Sequence, residues 1–112
     1  METTRQKKVS KLIQKELSLI FQKETHQFLG NILVTVTSVR VSPDLSLAKI
    51  YLSLFPVEKP KDALSILNEN KKVFRTLLGK SLRHSLRIVP ELAFYLDDSA
   101  EYAEEIDRLL KK

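Results

Sequence analysis

Side chains able to carry out catalysis are few and scattered in this 112-residue sequence. Its two histidines, His26 and His84, lie far apart, and neither belongs to a metal-ligand spacing such as HExxH. None of the serines lies in a GxSxG or SxxK motif, and there is no cysteine. Asp97 and Asp98 could hold a divalent cation, but an acidic pair directly before a helix is far more often a cap. We therefore predict no enzyme, no metal site and no cofactor.

A run of basic residues is the stronger chemical signal. If residues 72–87 form one helix, its cations fall within a wedge of roughly 140° that has Gly79 at its centre. A face without a side chain at its centre lets a phosphate backbone approach the helix closely. A solvated helix face that happens to be basic is the alternative. The candidate RNA-binding residues here are Lys71, Lys72, Arg75, Gly79, Lys80, Arg83 and Arg87.

A second basic stripe lies on the first predicted helix. Apolar residues at a spacing of three to four predict an amphipathic helix over residues 5–24, with Lys8, Lys11 and Lys15 on its opposite side. Because charged solvent faces are common on such helices, this stripe is weaker evidence for a phosphate-binding patch than the first.

The elements that must position these residues follow from hydrophobic periodicity. Alternating branched and apolar residues predict three strands, and a bulge near Ser38 would explain a phase shift in the first. Helical spacing from 61 to 87 is interrupted by a polar stretch, which predicts a kink at Asn70, Lys71 and Lys72. The predicted strands cover 32–41, 46–55 and 91–97, and a short C-terminal helix covers about 99–111.

The resulting order, α-β-β-α-(kink)-α-β plus a C-terminal helix, predicts an α+β fold in two layers with a three-stranded sheet. This is the order of a type II KH domain. The two glycines of the chain, Gly30 and Gly79, leave no GxxG loop, which most KH domains use to hold nucleic acid. We expect one domain over residues 1–112, with a core at about 5–98.

Three aromatic residues, Tyr51, Phe55 and Tyr95, share the sheet face opposite the predicted core. Exposed aromatics on a sheet can stack on nucleobases, as they do in RRM domains. The alternative, which we favour, is that the C-terminal helix packs on this face through Tyr102.

The charge distribution favours a polyanionic partner. Residues 61–90 contain seven Lys or Arg against two Asp or Glu, whereas residues 91–112 contain three against seven. The net charge of +5 therefore combines +9 over residues 1–90 with −4 over the remainder. A basic surface on a small domain is typical of RNA or DNA binding, although it also serves general solubility. Without an apolar leader or spanning segment, we expect a cytoplasmic protein away from membranes.

Five sequence blocks carry a family resemblance: VTVTSVRVSPDL at 34–45, AKIYLS at 48–53, FRTLLGK at 74–80, LRIVPELAF at 86–94 and DDS at 97–99. With them the chain resembles the ribosome-binding factor A family, from about Arg5 to Leu110. Each block alone is weak, but their combination is specific. The family resembles type II KH domains in which a kinked helix junction, often Ala-x-Gly, replaces the GxxG loop; here the corresponding residues are Asn70, Lys71 and Lys72.

The resemblance implies a factor that is not an enzyme. Such a factor would bind the free, immature 30S ribosomal subunit and its 16S rRNA. It would support maturation of the rRNA 5′ end and late assembly of the small subunit, most of all at low temperature. We expect a monomer. The alternative from the residues alone is a protein-interaction module whose basic face meets an acidic protein, a contact that would survive RNA digestion.

Overall fold

A computed structural model of the chain describes residues 3–97, and the predicted C-terminal helix lies outside the described residues. Helix α1 covers Thr4–Leu29. Thr3 caps its start in a reciprocal pair with Gln6, and Gly30 ends it with a φ of 69°, a left-handed conformation that favours glycine. The helix thus extends beyond the predicted 5–24 and ends at Gly30.

Strands β1, Leu33–Val41, and β2, Leu47–Phe55, form an antiparallel hairpin close to the bounds predicted for the first two strands. The register shifts between Val36 and Ser38, so Thr37 is an extra residue on β1 with no residue opposite it on β2, although its hydroxyl donates to the Tyr51 carbonyl at 3.1 Å. This bulge lies where the sequence predicted one. It changes the phase of the strand, so that the valines on both sides of the bulge are buried. The buried valines are Val34, Val36, Val39 and Val41.

The hairpin turn is held by a small network around Asp44. The Oδ1 atom of Asp44 accepts hydrogen bonds from the hydroxyls of Ser42 and Ser46, each at 2.7 Å, and from the Ser46 N–H at 3.1 Å. These bonds lower the pKa of Asp44 from its ordinary 3.8 to about 2, with the Ser42 hydroxyl as the largest cause. Leu45 adopts a left-handed φ of 61° and packs partly against the core.

Two short helices follow the hairpin, α2 at Pro60–Glu69 and α3 at Lys71–Leu82. They meet at Asn70, the first of the three residues predicted for the kink. The Asn70 Nδ2 atom donates to the Ile66 carbonyl at 2.8 Å, which turns its side chain back onto the end of α2.

Strand β3, Glu91–Leu96, completes a sheet in the order β1-β2-β3 and runs parallel to β2. The three helices pack on one side of this sheet, which gives the predicted α+β fold in two layers. The centre of the interface is aromatic, because the buried rings of Phe21, Phe74 and Phe94 contact one another with centroids 5.1 to 5.8 Å apart. Buried glutamine Gln6 on α1 donates to the Val41 carbonyl at 2.8 Å and ties the helix to β1.

Within residues 3–97, no helix combines the length and the apolar content that a membrane span requires.

Candidate nucleic-acid interface

The helix that carries the main basic stripe is shorter than predicted. It ends at Leu82, and Arg83 occupies the cap position. The N–H groups of Ser85 and Leu86 both bond to the Leu82 carbonyl, each at 2.8 Å, in a closing turn. The single helix expected over residues 72–87 is therefore wrong.

The sheet supplies the physical reason for this early end. The Glu91 N–H bonds to the Ser46 carbonyl at 2.9 Å, so the chain must return to the start of β2 by residue 91. A helix continued to Arg87 would leave only residues 88–90 to make that return. As a result Arg87 lies on a loop, and the predicted wedge of cations on one helix holds only as far as Lys80.

Residues 83–90 form this loop, which we call the 83–90 loop. Arg83, His84, Arg87 and Ile88 are exposed in it, and 71% of the surface of Ile88 is accessible. Its other end turns inward, since Val89 is partly buried and Pro90 is fully buried. The loop thus presents two arginines and an apolar side chain next to the end of α3.

Gly79 lies next to this loop, so the helix face around it is not fully open. It is partly buried, and a Cβ atom built on it would lie 3.5 Å from Cγ2 of Val89. That distance is ordinary van der Waals contact. Val89 therefore lies beside the glycine, and close approach of a phosphate backbone to Gly79 stays a prediction.

Arg75 is bound to the same loop. Its Nε and Nη2 atoms donate hydrogen bonds to the Val89 carbonyl oxygen at 3.3 and 2.9 Å. The side chain remains exposed, so it lies at the surface with part of its guanidinium already engaged.

The start of α3 collects positive charge. Lys71 and Lys72 are its first two residues, its first turn contains no acidic residue, and the Asn70 side chain does not cap it. Cations at a helix N-terminus oppose the helix dipole, so they cost stability unless an anion neutralises them. A cavity of about 180 Å³ opens here and is lined by Lys71, Lys72, Arg75, Glu91 and Leu92.

The structure brings together only part of the predicted set. Lys71, Lys72 and Arg75 surround one cavity, whereas Lys80 is exposed near the end of α3. Glu91 also joins this cavity. Sequence reasoning missed it because it begins a strand distant along the chain, and no local pattern places it beside the lysines.

The second stripe forms a separate patch on α1. Lys8, Lys11 and Lys15 are all exposed on the side of the helix that faces away from its buried residues. None of the three lines the cavity at α3.

Within the described part of the chain, none of the cations of the two stripes forms an ion pair with a carboxylate. A basic surface whose charges are not neutralised internally attracts polyanions and releases their counterions on binding.

The face of the sheet turned away from the helices also carries aromatic residues. The rings of Tyr51 and Tyr95 stack with centroids 5.7 Å apart, and Phe55 is 70% exposed. Arg40 and Lys49 form an exposed pair on this face. The predicted cover through Tyr102 lies outside the described residues.

The remaining candidates for chemistry have structural surroundings. His26 Nδ1 hydrogen-bonds the Gly30 carbonyl at 2.8 Å, at the end of α1, and His84 is exposed in the closing turn of α3. The Asp97 N–H bonds to the Leu52 carbonyl at 2.8 Å, and Asp98 lies beyond the described residues. Residues 3–97 contain no group of three or more potential metal ligands.

Comparisons with known proteins agree with this architecture. The chain is 46% identical over 112 residues to ribosome-binding factor A of Cytophaga hutchinsonii, a match that covers all of this chain and 84% of that protein. It is 41% identical over 111 residues to ribosome-binding factor A of Christiangramia forsetii, covering 98% of this chain and 85% of the relative.

Solved structures show the same fold. The crystal structure of ribosome-binding factor A from Thermus thermophilus matches with a TM-score of 0.67 and 25% identity, over 81% of this chain and 94% of the other. A homology model of the Thermus thermophilus factor, fitted into a cryo-EM map of its complex with the 30S subunit, matches with a TM-score of 0.60 and 22% identity, over 88% and 97%. The family model described as ribosome-binding factor A matches residues 5–110, so the chain belongs to the ribosome-binding factor A family.

Proposed function

We propose that this protein binds the free, immature 30S subunit through phosphates of its 16S rRNA and supports late assembly of that subunit. The observation that carries the proposal is the group of cations at the start of α3 and on the 83–90 loop, which have no carboxylate partner within residues 3–97. Family membership and the Thermus thermophilus factor, fitted into a map of its 30S complex, support the same partner.

The geometry suggests a division of roles along this surface. Lys71 and Lys72 lie at the positive end of the α3 dipole. A phosphate oxygen bound there is stabilised both by the lysine charges and by the helix dipole. Lys80, Arg83 and Arg87 extend the positive surface to the other end of the helix and the loop. Phosphate contacts of this kind position a protein, and RNA shape then selects the site.

The finer functions follow from the family resemblance. We propose that binding supports maturation of the 16S rRNA 5′ end, that it matters most at low temperature, and that the protein acts as a cytoplasmic monomer without catalysis of its own. Sedimentation of the purified protein at micromolar concentration tests the oligomeric state.

Co-sedimentation with immature 30S particles tests the proposed partner. The double variant Lys72→Gln with Arg83→Gln removes two charges from the proposed surface. The variant Arg40→Gln with Lys49→Gln removes the same two residue types from the opposite sheet face. If the proposal is right, the Lys72/Arg83 variant binds more weakly. Its salt slope, the steepness with which the logarithm of the binding constant falls with the logarithm of the salt concentration, decreases by about 1 for each phosphate that is no longer bound. The Arg40/Lys49 control keeps the wild-type affinity and salt slope.

Equal binding by the wild type and the Lys72/Arg83 variant would contradict this interface. Digestion of the particles with ribonuclease separates the two partner classes, because an acidic protein partner would still be captured after the RNA is gone. Capture that survives digestion would overturn the rRNA-binding function.

A further inference from the structure

The 83–90 loop has few internal supports. Its backbone makes two turn bonds to the Leu82 carbonyl at the start, from Ser85 and Leu86. Leu86 and Val89 are partly buried and pack against the core, and Pro90, at the far end, is the first fully buried residue. Between these ends lie Arg87 and Ile88, both exposed. A loop supported in this way needs a further contact if its arginines are to keep a fixed position.

Arg75 supplies that contact from the neighbouring helix. Its Nε and Nη2 atoms both reach the Val89 carbonyl oxygen, and among residues 3–97 no other side chain outside the 83–90 loop hydrogen-bonds to it. Two donors of a rigid, planar fork fix the carbonyl in direction as well as in distance. A lysine ammonium is a single flexible point charge and does not reproduce this geometry.

Gly79 contributes the space for this arrangement. It lies one helical turn after Arg75 on α3, and the Val89 side chain packs where a longer side chain would stand. The Arg75 side chain and the open side of Gly79 on α3 therefore both face Val89 of the loop.

We propose that Arg75 is a positioning residue that fixes the 83–90 loop against α3, so that Arg83 and Arg87 are held ready for RNA phosphates. The inference rests on the proposed function for its consequence in binding. It assigns Arg75 a different role from its neighbours Lys71 and Lys72, because its guanidinium is engaged by the protein's own backbone.

The test uses the full chain and the charge-conserving variant Arg75→Lys. If Arg75 acts through the loop, this variant weakens binding to immature 30S particles by roughly tenfold to fiftyfold at about 0.1 M salt. That is the loss expected when two phosphate contacts, and the counterions they release, are removed. The salt slope falls by about 2 although the net charge is unchanged. The control Arg40→Lys, on the opposite sheet face, leaves binding and slope unaltered.

A double-mutant cycle separates positioning from direct contact. In the background Arg83→Gln with Arg87→Gln, the change Arg75→Lys should have little further effect, since the residues through which it acts are gone. In the background Lys71→Gln with Lys72→Gln it should keep its full effect. A full effect in both backgrounds would show that Arg75 touches RNA itself and would overturn the inference.

Amide hydrogen exchange of the free protein gives a measurement that needs no RNA. In Arg75→Lys, exchange should accelerate at Ser85 and Leu86, whose N–H groups bond to the Leu82 carbonyl, while α1 and the sheet keep their protection. Unchanged exchange in the loop contradicts the positioning role. Failure of the wild-type protein to bind 30S particles would contradict the proposed function instead, and the exchange measurement would still decide whether Arg75 holds the loop.

Discussion

The side chain of Asn68 pairs with the backbone of Phe94 in both directions. Its Nδ2 atom donates to the Phe94 carbonyl oxygen and its Oδ1 atom accepts from the Phe94 N–H, both at 3.0 Å. The Asn68 side chain, which belongs to α2, thereby provides the donor and the acceptor that a neighbouring strand would offer to β3. Since β3 is an edge strand, this pair satisfies polar groups that would otherwise be left open.

Replacement of Asn68 by alanine should therefore destabilise the protein. Two hydrogen bonds in a partly buried setting are removed, and we expect a decrease of about 1–3 kcal/mol in the free energy of unfolding, measured in urea. Asn31→Ala changes an exposed asparagine and serves as the control. Asn68→Asp keeps the acceptor and loses the donor, so it too should unfold at lower urea. Wild-type stability of Asn68→Asp would contradict the two-way pairing.

Gly79→Ala should stabilise the protein by about 0.5–1 kcal/mol, because alanine is the better residue within a helix. The added Cβ would meet Val89 Cγ2 at an ordinary contact distance, so no repacking is needed. Urea unfolding measures the gain, and binding to 30S particles should stay unchanged. A strong loss of binding with preserved stability would instead support the prediction that a phosphate backbone approaches Gly79 itself.

The turn around Asp44 predicts a specific acid dependence. Its pKa is lowered to about 2 from 3.8, so the ionised carboxylate stabilises the folded state. That contribution is present above the ordinary pKa of 3.8 and is lost as the pH falls through about 2. A carboxyl carbon titration by NMR should place the midpoint near the lowered pKa, and Ser42→Ala should move it upward because the largest cause of the shift is removed. A wild-type midpoint at the ordinary pKa would contradict the network.

The patch on α1 provides a prediction about the size of the interface. Replacing Lys8, Lys11 and Lys15 together by glutamine should lower the salt slope of 30S binding by about 1 for each phosphate that these lysines bind. Replacing the same three by arginine keeps the charges and should leave the slope unchanged. An unchanged slope in the glutamine variant would identify this stripe as an ordinary solvated helix face.

Much of the fold could be predicted from local sequence because its signals are local. The alternation of valines and threonines predicted β1, the phase change predicted the bulge, and the polar stretch around Asn70 predicted the break between α2 and α3. Each of these follows from residues within a few positions of one another.

What the sequence did not predict depends on contacts between distant residues. Residues up to Arg87 keep a helical spacing, but α3 ends at Leu82. The helix must end early because the chain has to return to the start of β2, where the Glu91 N–H bonds to the Ser46 carbonyl. The bond from Arg75 goes to a backbone carbonyl, which every residue has, so no residue type reveals it. The position of Glu91 among the lysines likewise depends on how β3 and α3 pack together.

Thr37 is an extra residue, so deleting one residue at the bulge would leave the buried side chains of β1 on the same face of the sheet. Val36 pairs with Leu52 and Ser38 pairs with Tyr51, so β2 already runs as if Thr37 were absent. A chain without Thr37 would form a regular strand in which Val36 and Val39 still face the helices. A residue removed after the bulge, between Val39 and Val41, would instead turn one of these two valines toward water. A one-residue deletion at the bulge therefore keeps the buried face of β1 intact, whereas a deletion between Val39 and Val41 disrupts it.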